Sequence, residues 1–219
     1  MKQIPEFKNK QLLSLAFTHR SYLNESKEAI ESNERLEFLG DSILSLVVSE
    51  YLYKNYPAFN EGKLTNLRAL LVNTKNLAEN ARKLEFGKLL KLSKGEEESK
   101  GRENQSLLAD SFEALIGAIY LDQGTSVARS FIESTVLASV DEFVGKNTFK
   151  DPKSLLQEYV QAKHQKSPVY KVLNEEGPAH AKIFTVGAYI ATTLVGSGIG
   201  RSKQEAEEKA AIEALSKYQ

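Results

Sequence analysis

The stretch NERLEFLGDS, Asn33 to Ser42, places carboxylates in what otherwise reads as a core helix. At helical spacing Glu34, Glu37 and Asp41 fall at i, i+3 and i+7, on one face. Leu44 and Val48 continue that stripe, while Leu36, Leu39, Ile43, Leu46 and Val47 cover the other sides. From Leu36 to Ser49 the only charged residues are Glu37 and Asp41, with no cation to neutralise them. A second helix repeats the pattern. In SLLADSFEALIGAIYL (106–121) the only charges are Asp110 and Glu113, three residues apart on one face, and Gly117 continues that face with room for close approach.

Four desolvated carboxylates facing one another repel, and burying each without compensation costs several kcal/mol. Protonation, salt bridges to bases from elsewhere, or a hard divalent cation would relieve the repulsion. The chain has no cysteine and neither helix has a histidine. An all-oxygen donor set suits Mg²⁺, with Mn²⁺ able to substitute, better than zinc. Carboxylates alone leave water positions open on such an ion, as phosphate-ester hydrolysis requires. A structural reading competes, because a lone acid in an apolar helix is usually paired with an arginine or sits near a helix end. The matching pair in a second uncharged helix weakens that alternative.

Composition sets the outer bounds. The 219 residues are 41% hydrophobic and 26% charged, an ordinary globular balance that allows one large domain or a medium and a small one. Disulfides, thiolate–metal sites and thiol nucleophiles are excluded by the missing cysteines. The opening MKQIPEFKNK lacks the apolar core of a secretory signal, and no apolar run approaches the roughly 18 residues that span a bilayer. A cytoplasmic protein with no membrane partner is therefore expected. There are 29 basic and 29 acidic residues; up to residue 150 the counts are 20 and 21, and after it 9 and 8. Any contact with nucleic acid must rest on local placement of cations.

Apolar periodicity in QLLSLAFTH, 33–54, 62–83, 105–121 and 126–144 predicts an all-α domain over residues 1–146. Breaks are expected around Pro57, Asn60 and Gly62, then at Gly87, at 94–104 and at Gly124. The polar stretch 147–151 reads as a linker. A helix follows, with Asp151 as its N-cap and Pro152 in its first turn. Then come three strand candidates, PVYKVLNEE, AKIFTVGAYI and ATTLVGSGIG, and a last helix starting at Ser202. Residues 152–219 thus run α-β-β-β-α.

NERLEFLGDS resembles the signature of the ribonuclease III family of double-stranded-RNA endonucleases. The likeness continues, in order, through AFTHRSY (16–22), EGKLTNLRALLVN (61–73), GEEESKGREN (95–104) and LLADSFEALIGAIYLDQG (107–124). The resemblance implies that Glu37, Asp41, Asp110 and Glu113 bind the metal. Asp41 and Glu113 would be the indispensable catalytic pair on the water and the scissile phosphate, with Glu37 and Asp110 completing the coordination. Glu34 and Glu61 also match acidic family positions, and His19 lies in a family motif, where a hydrogen-bonded structural role is expected. Phe38 matches the aromatic that enters a socket on the partner, so a homodimer with one cluster per strand is implied. A non-catalytic relative would be marked by loss of an acid; all four are present.

The second domain resembles the double-stranded-RNA-binding domain, through GPAH (177–180) and GSGIGRSKQEAEEKAA (196–211). Such modules read A-form RNA through phosphates and 2′-hydroxyls. The resemblance implies three RNA contacts: Ser154, Gln157, Glu158 and Gln161 on the first helix; Pro178 and His180 in the loop; and Arg201, Ser202, Lys203 and Gln204 at the start of the last helix. The family usually has adjacent lysines at 203 and 204. Here the second is Gln204, and Arg201 is the nearest substitute for its charge. The expected activity is Mg²⁺-dependent cleavage of double-stranded RNA to 5′-phosphate and 3′-hydroxyl ends with short 3′ overhangs, on ribosomal RNA precursors and other structured transcripts.

Overall fold

The computed structural model describes residues 4–26, 31–145, 152–163, 166–178 and 182–218. The chain divides into two compact units, Met1–Phe149 and Lys150–Gln219. The expected linker 147–151 and the Asp151 cap lie outside the described residues. Among those described, no helix is long and apolar enough to cross a membrane.

The first unit is built from α1 (Lys10–Ala16), α2 (Glu34–Asn55), α3 (Glu61–Val72), α4 (Thr74–Lys83), α5 (Lys94–Glu98), α6 (Gln105–Thr135) and α7 (Val140–Gly145), joined in part by single 3₁₀ turns. Asparagine stands at the start of five of these helices, and at four of them its side chain forms the cap. The side chains of Asn9, Asn60, Asn73 and Asn104 each accept a backbone N–H of the first turn that would otherwise go unpaired. Leu44, Val47 and Val48 of α2 and Phe112, Leu115, Ile116 and Ile119 of α6 are fully buried. Phe17, Phe86, Phe112 and Phe131 link the core, with successive ring centroids 5.0, 5.8 and 5.5 Å apart. The Asp122 carboxylate accepts the N–H groups of Lys8 and Asn9, both at 2.8 Å, and so fastens the N-terminal segment to α6.

Two expected boundaries move. The run 62–83 is two helices, because Asn73 turns extended and caps α4 through Asn76 N–H at 2.8 Å. The break expected at Gly87 is made instead by Glu85, which takes the left-handed conformation (φ 58°) after α4 has ended at Lys83. The break at Gly124 stands where expected: its φ of 81° interrupts the helical geometry inside α6.

The second unit runs α8 (Pro152–Ala162), β1 (Val169–Glu176), β2 (Ile183–Ile190), β3 (Thr193–Gly200) and α9 (Lys203–Ser216). The three strands form one antiparallel sheet in the order β1-β2-β3. Leu156 and Val160 of α8 share a core with Ala188, Ile190 and Val195 of the sheet and Ala210, Ala211 and Ala214 of α9. Gly196, Gly198 and Gly200 alternate along β3 and face α9, whose Ala206, Ala210 and Ala214 lie at i, i+4 and i+8. A Cβ on Gly198 would come within 2.2 Å of the Ala206 carbonyl oxygen, so helix and strand meet backbone to backbone. The expected architecture, an all-α domain followed by an α-β-β-β-α domain, is the one observed.

Candidate functional site

α2 crosses α6 at two glycines. A Cβ on Gly40 would lie 1.8 Å from the Glu113 carbonyl oxygen, and one on Gly117 would lie 2.3 Å from that of Leu36. Only the absence of side chains lets the two backbones touch. One turn before Gly40 stands Glu37; one turn before Gly117 stands Glu113, with Asp110 a further turn back. The crossing brings one carboxylate oxygen from each of Glu37, Asp110 and Glu113 within 4.8 Å of one another. Asp41 stands outside this trio, exposed on the next turn of α2, yet its charge acts on both Glu37 and Glu113.

The site is electrostatically strained. Burial first, then the charges of Asp41, Glu37 and Asp110, pushes the Glu113 carboxyl up to about 8. Glu37 is raised by burial and then by Asp110, Glu34 and Asp41. Burial also raises Asp110, against the opposing charges of His19 and Arg20. Among the described residues, no lysine or arginine forms an ion pair with any of the four acids. Salt bridging therefore does not relieve the repulsion. Three converging carboxylates with only oxygen to offer fit a hard divalent cation.

The AFTHRSY segment packs beside this crossing. Asn33 donates its backbone N–H to Thr18 O at 2.9 Å and its side-chain amide to Ala16 O at 3.2 Å. His19 Nδ1 lies 2.9 Å from the Ser21 hydroxyl and accepts the Ser21 N–H, so it holds a turn in place. Glu61 is exposed in the first turn of α3, where it accepts the Thr65 hydroxyl at 3.0 Å. Gly40 and Asn33 are the residues of the signature whose part was not read from the sequence. A glycine inside a helix, three residues from an acid and matched by Gly117, was the available signal for the first. Nothing local marks Asn33, whose partners are 15 and 17 residues away.

In the second unit, Ser154, Gln157, Glu158 and Gln161 line one exposed face of α8, opposite buried Leu156 and Val160. Pro178 is exposed after Gly177, which turns the chain at φ 97°. His180 lies outside the described residues. Arg201, Ser202, Lys203 and Gln204 are exposed at the start of α9. The Ser202 hydroxyl accepts the Glu205 N–H at 3.1 Å, and the Glu205 carboxylate accepts the Arg201 N–H at 2.7 Å. Gln204 donates its amide to Glu208 at 3.0 Å. Glu205 thus already occupies part of the helix end expected to meet phosphate. Its Ser-x-x-Glu spacing is a capping signature legible in the sequence.

Comparison with known proteins agrees with both halves. Residues 9–140 match the family described as Ribonuclease-III-like, and residues 152–218 match the double-stranded RNA binding motif. The chain is 48% identical to ribonuclease 3 of Bacillus licheniformis over 215 residues, which is 98% of this chain and 86% of that protein. It is 44% identical to ribonuclease 3 of Borreliella afzelii over 210 residues, 96% of this chain and 86% of that protein. The nuclease domain of ribonuclease III from Campylobacter jejuni, studied for flexibility in its dimer-forming region, superposes with a TM-score of 0.55 at 44% identity over 59% of this chain and 90% of that one. Dicer from Pichia stipitis gives a TM-score of 0.51 at 29% identity, covering 98% and 96% of the two chains. The acids gathered at a glycine crossing and the separate RNA-binding fold thus have one common explanation: this chain belongs to the ribonuclease III family, whose members are divalent-metal-dependent endonucleases of double-stranded RNA.

Proposed function

We propose that the chain is a Mg²⁺-dependent endonuclease that cuts both strands of duplex RNA, leaving 5′-phosphate and 3′-hydroxyl ends with short 3′ overhangs. Its substrates are ribosomal RNA precursors and other structured transcripts in the cytoplasm. Residues 1–146 are the nuclease domain, 147–151 the linker and 152–219 the RNA-binding domain. Glu37, Asp110 and Glu113 would hold the cation, with Asp41 as the fourth ligand. When bound, such an ion lowers the pKa of water and offsets charge developing on the phosphate oxygens. Asp41 and Glu113 are assigned to the attacking water and the scissile phosphate. Glu37 and Asp110 complete the ligand set and hold it in place. The chain's own contribution is orientation, because backbone contact at Gly40 and Gly117 fixes the spacing of the two helices that carry the acids.

Phe38 is 78% exposed, and Leu46 and Tyr53 share its side of α2 at 64% and 75%. An apolar stripe this open supports a homodimer through α2. Ser154, Gln157, Glu158 and Gln161 would meet a minor groove, Pro178 and His180 a second contact, and Arg201, Ser202, Lys203 and Gln204 the phosphates between them.

The observation that carries this reading is the convergence of Glu37, Asp110 and Glu113 with no ion-paired base among the described residues. Incubation with long duplex RNA, with and without Mg²⁺, tests it. Short duplexes with two-ended overhangs should appear only with the ion. Equal cutting in the presence of a chelator would overturn the metal assignment.

A further inference from the structure

We propose that Arg20 is a phosphate-binding residue of the nuclease unit, held in position by Glu34, and that it grips the RNA backbone beside the acid cluster. The proposal rests on the reading of Glu37, Asp110 and Glu113 as the cleavage centre. Four contacts fix the backbone around Arg20: Asn33 N–H to Thr18 O, the Asn33 amide to Ala16 O, His19 N–H to Lys91 O at 3.1 Å, and Lys91 N–H to Phe17 O at 2.8 Å. From that base the Arg20 guanidinium reaches the start of α2, where Nη1 lies 3.6 Å from Glu34 Oε1. The other Glu34 oxygen accepts the Ser32 hydroxyl at 2.7 Å, so Glu34 itself is held from behind. Glu34 precedes Glu37 by one helical turn, which sets the guanidinium one turn from the cluster. The charge of Arg20 is felt at Asp110 on the opposite helix.

Two further facts point outward. The Arg20 side chain is 72% exposed, and its separation from Glu34 is longer than a hydrogen bond, which leaves its planar fork of donors for an incoming anion. An ion pair this open adds little to stability, so holding the fold together does not explain the arrangement. RNA approaching this site brings phosphates toward three carboxylates, on a unit with 19 basic and 21 acidic residues up to residue 149. A guanidinium at the edge of the cluster offsets that repulsion, and its fork matches two oxygens of one phosphate.

The test is steady-state cleavage of long duplex RNA by the full chain with Mg²⁺ over a range of salt concentrations. Arg20→Ala should raise KM about tenfold, with kcat within about twofold, and flatten the dependence of log KM on log salt by about one unit. Arg20→Lys should keep the salt slope while raising KM about threefold, because the charge stays and the fork is lost. Glu34→Gln should raise KM a few-fold in the parent and add nothing in the Arg20→Ala background. An unchanged KM and salt slope in Arg20→Ala would overturn the proposal, as would a fall in kcat at constant KM, which marks a residue that only screens the acids. Failure of the unmutated chain to cut duplex RNA at all would instead overturn the functional reading beneath it.

Discussion

In the nuclease unit α2 meets α6 through Gly40 and Gly117; in the RNA-binding unit β3 meets α9 through Gly196, Gly198 and Gly200. Both contacts remove side chains so that backbones can touch, and the electrical results are opposite. The first presses Glu37, Asp110 and Glu113 together and lifts their pKa values. The second joins glycine chiefly to alanine, the two charges beside it, Glu205 and Lys209, pair with each other at 2.8 Å, and the start of α9 stays open to solvent. Close packing is thus a neutral device. What surrounds it decides whether it makes a strained site or a firm platform.

The comparison is most sharply tested by adding a methyl group at each contact. Gly40→Ala would put Cβ 1.8 Å from the Glu113 carbonyl, and we expect it to cost about 3 kcal/mol in thermal or denaturant unfolding and to abolish cleavage. Gly198→Ala, at 2.2 Å from Ala206 O, should unfold the second unit at a similar cost. There the nuclease unit should still cut at low salt and fail at physiological salt. Full cleavage by Gly40→Ala would show that the crossing does not set the acids' spacing.

Next in size is Glu113→Gln, which keeps shape and removes charge. Cleavage should disappear while duplex binding, followed by gel shift, persists. Without metal, this variant should melt at a higher temperature than the parent near neutral pH, because the parent must take up a proton at Glu113 to fold there and the glutamine need not. The linkage follows the same sign. Folding raises the Glu113 pKa from 4.5 to about 8, so its contribution to stability is largest below 4.5 and is lost as pH rises through about 8. A divalent cation competes with that proton. Mg²⁺ should therefore raise the melting temperature more at about pH 8 than at about pH 5. An equal shift at both values would remove Glu113 from the ligand set.

The smallest effect belongs to the platform. Gln204→Lys adds a cation at the open start of α9, and the slope of log affinity against log salt should steepen by about one unit. If it does not, Glu205 and Glu208, already bonded to this turn, are absorbing the added charge.

Much of this was legible in the sequence because its signals are local. The two acid pairs in uncharged helices, the three strands and the Ser202 cap each lie within a few residues of the feature they predict. What escaped depends on distant partners. Asn73 splits one apolar run because its side chain competes for the α4 N-terminus, and periodicity does not register a cap inside a run. Glu85 takes a left-handed turn two residues before Gly87, where the break was expected; the glycine's lack of a side chain is needed instead for the approach of the Arg102 carbonyl, 2.5 Å from a built Cβ. That Asp41 falls outside the 4.8 Å group of the other three acids was equally hidden, although its charge is the largest acting on Glu113 across the crossing. Helical spacing puts it on the right face and does not say which three carboxylates converge.

The open stripe of Phe38, Leu46 and Tyr53 has a consequence for how such an enzyme behaves on dilution. It shares α2 with Glu37 and Asp41, so the surface that would join two copies and the acids that would cut are rigidly coupled. On the proposed pairing through α2, dilution that separates the copies should make double-strand breaks give way to single-strand nicks, and the ratio of the two products becomes a gauge of assembly.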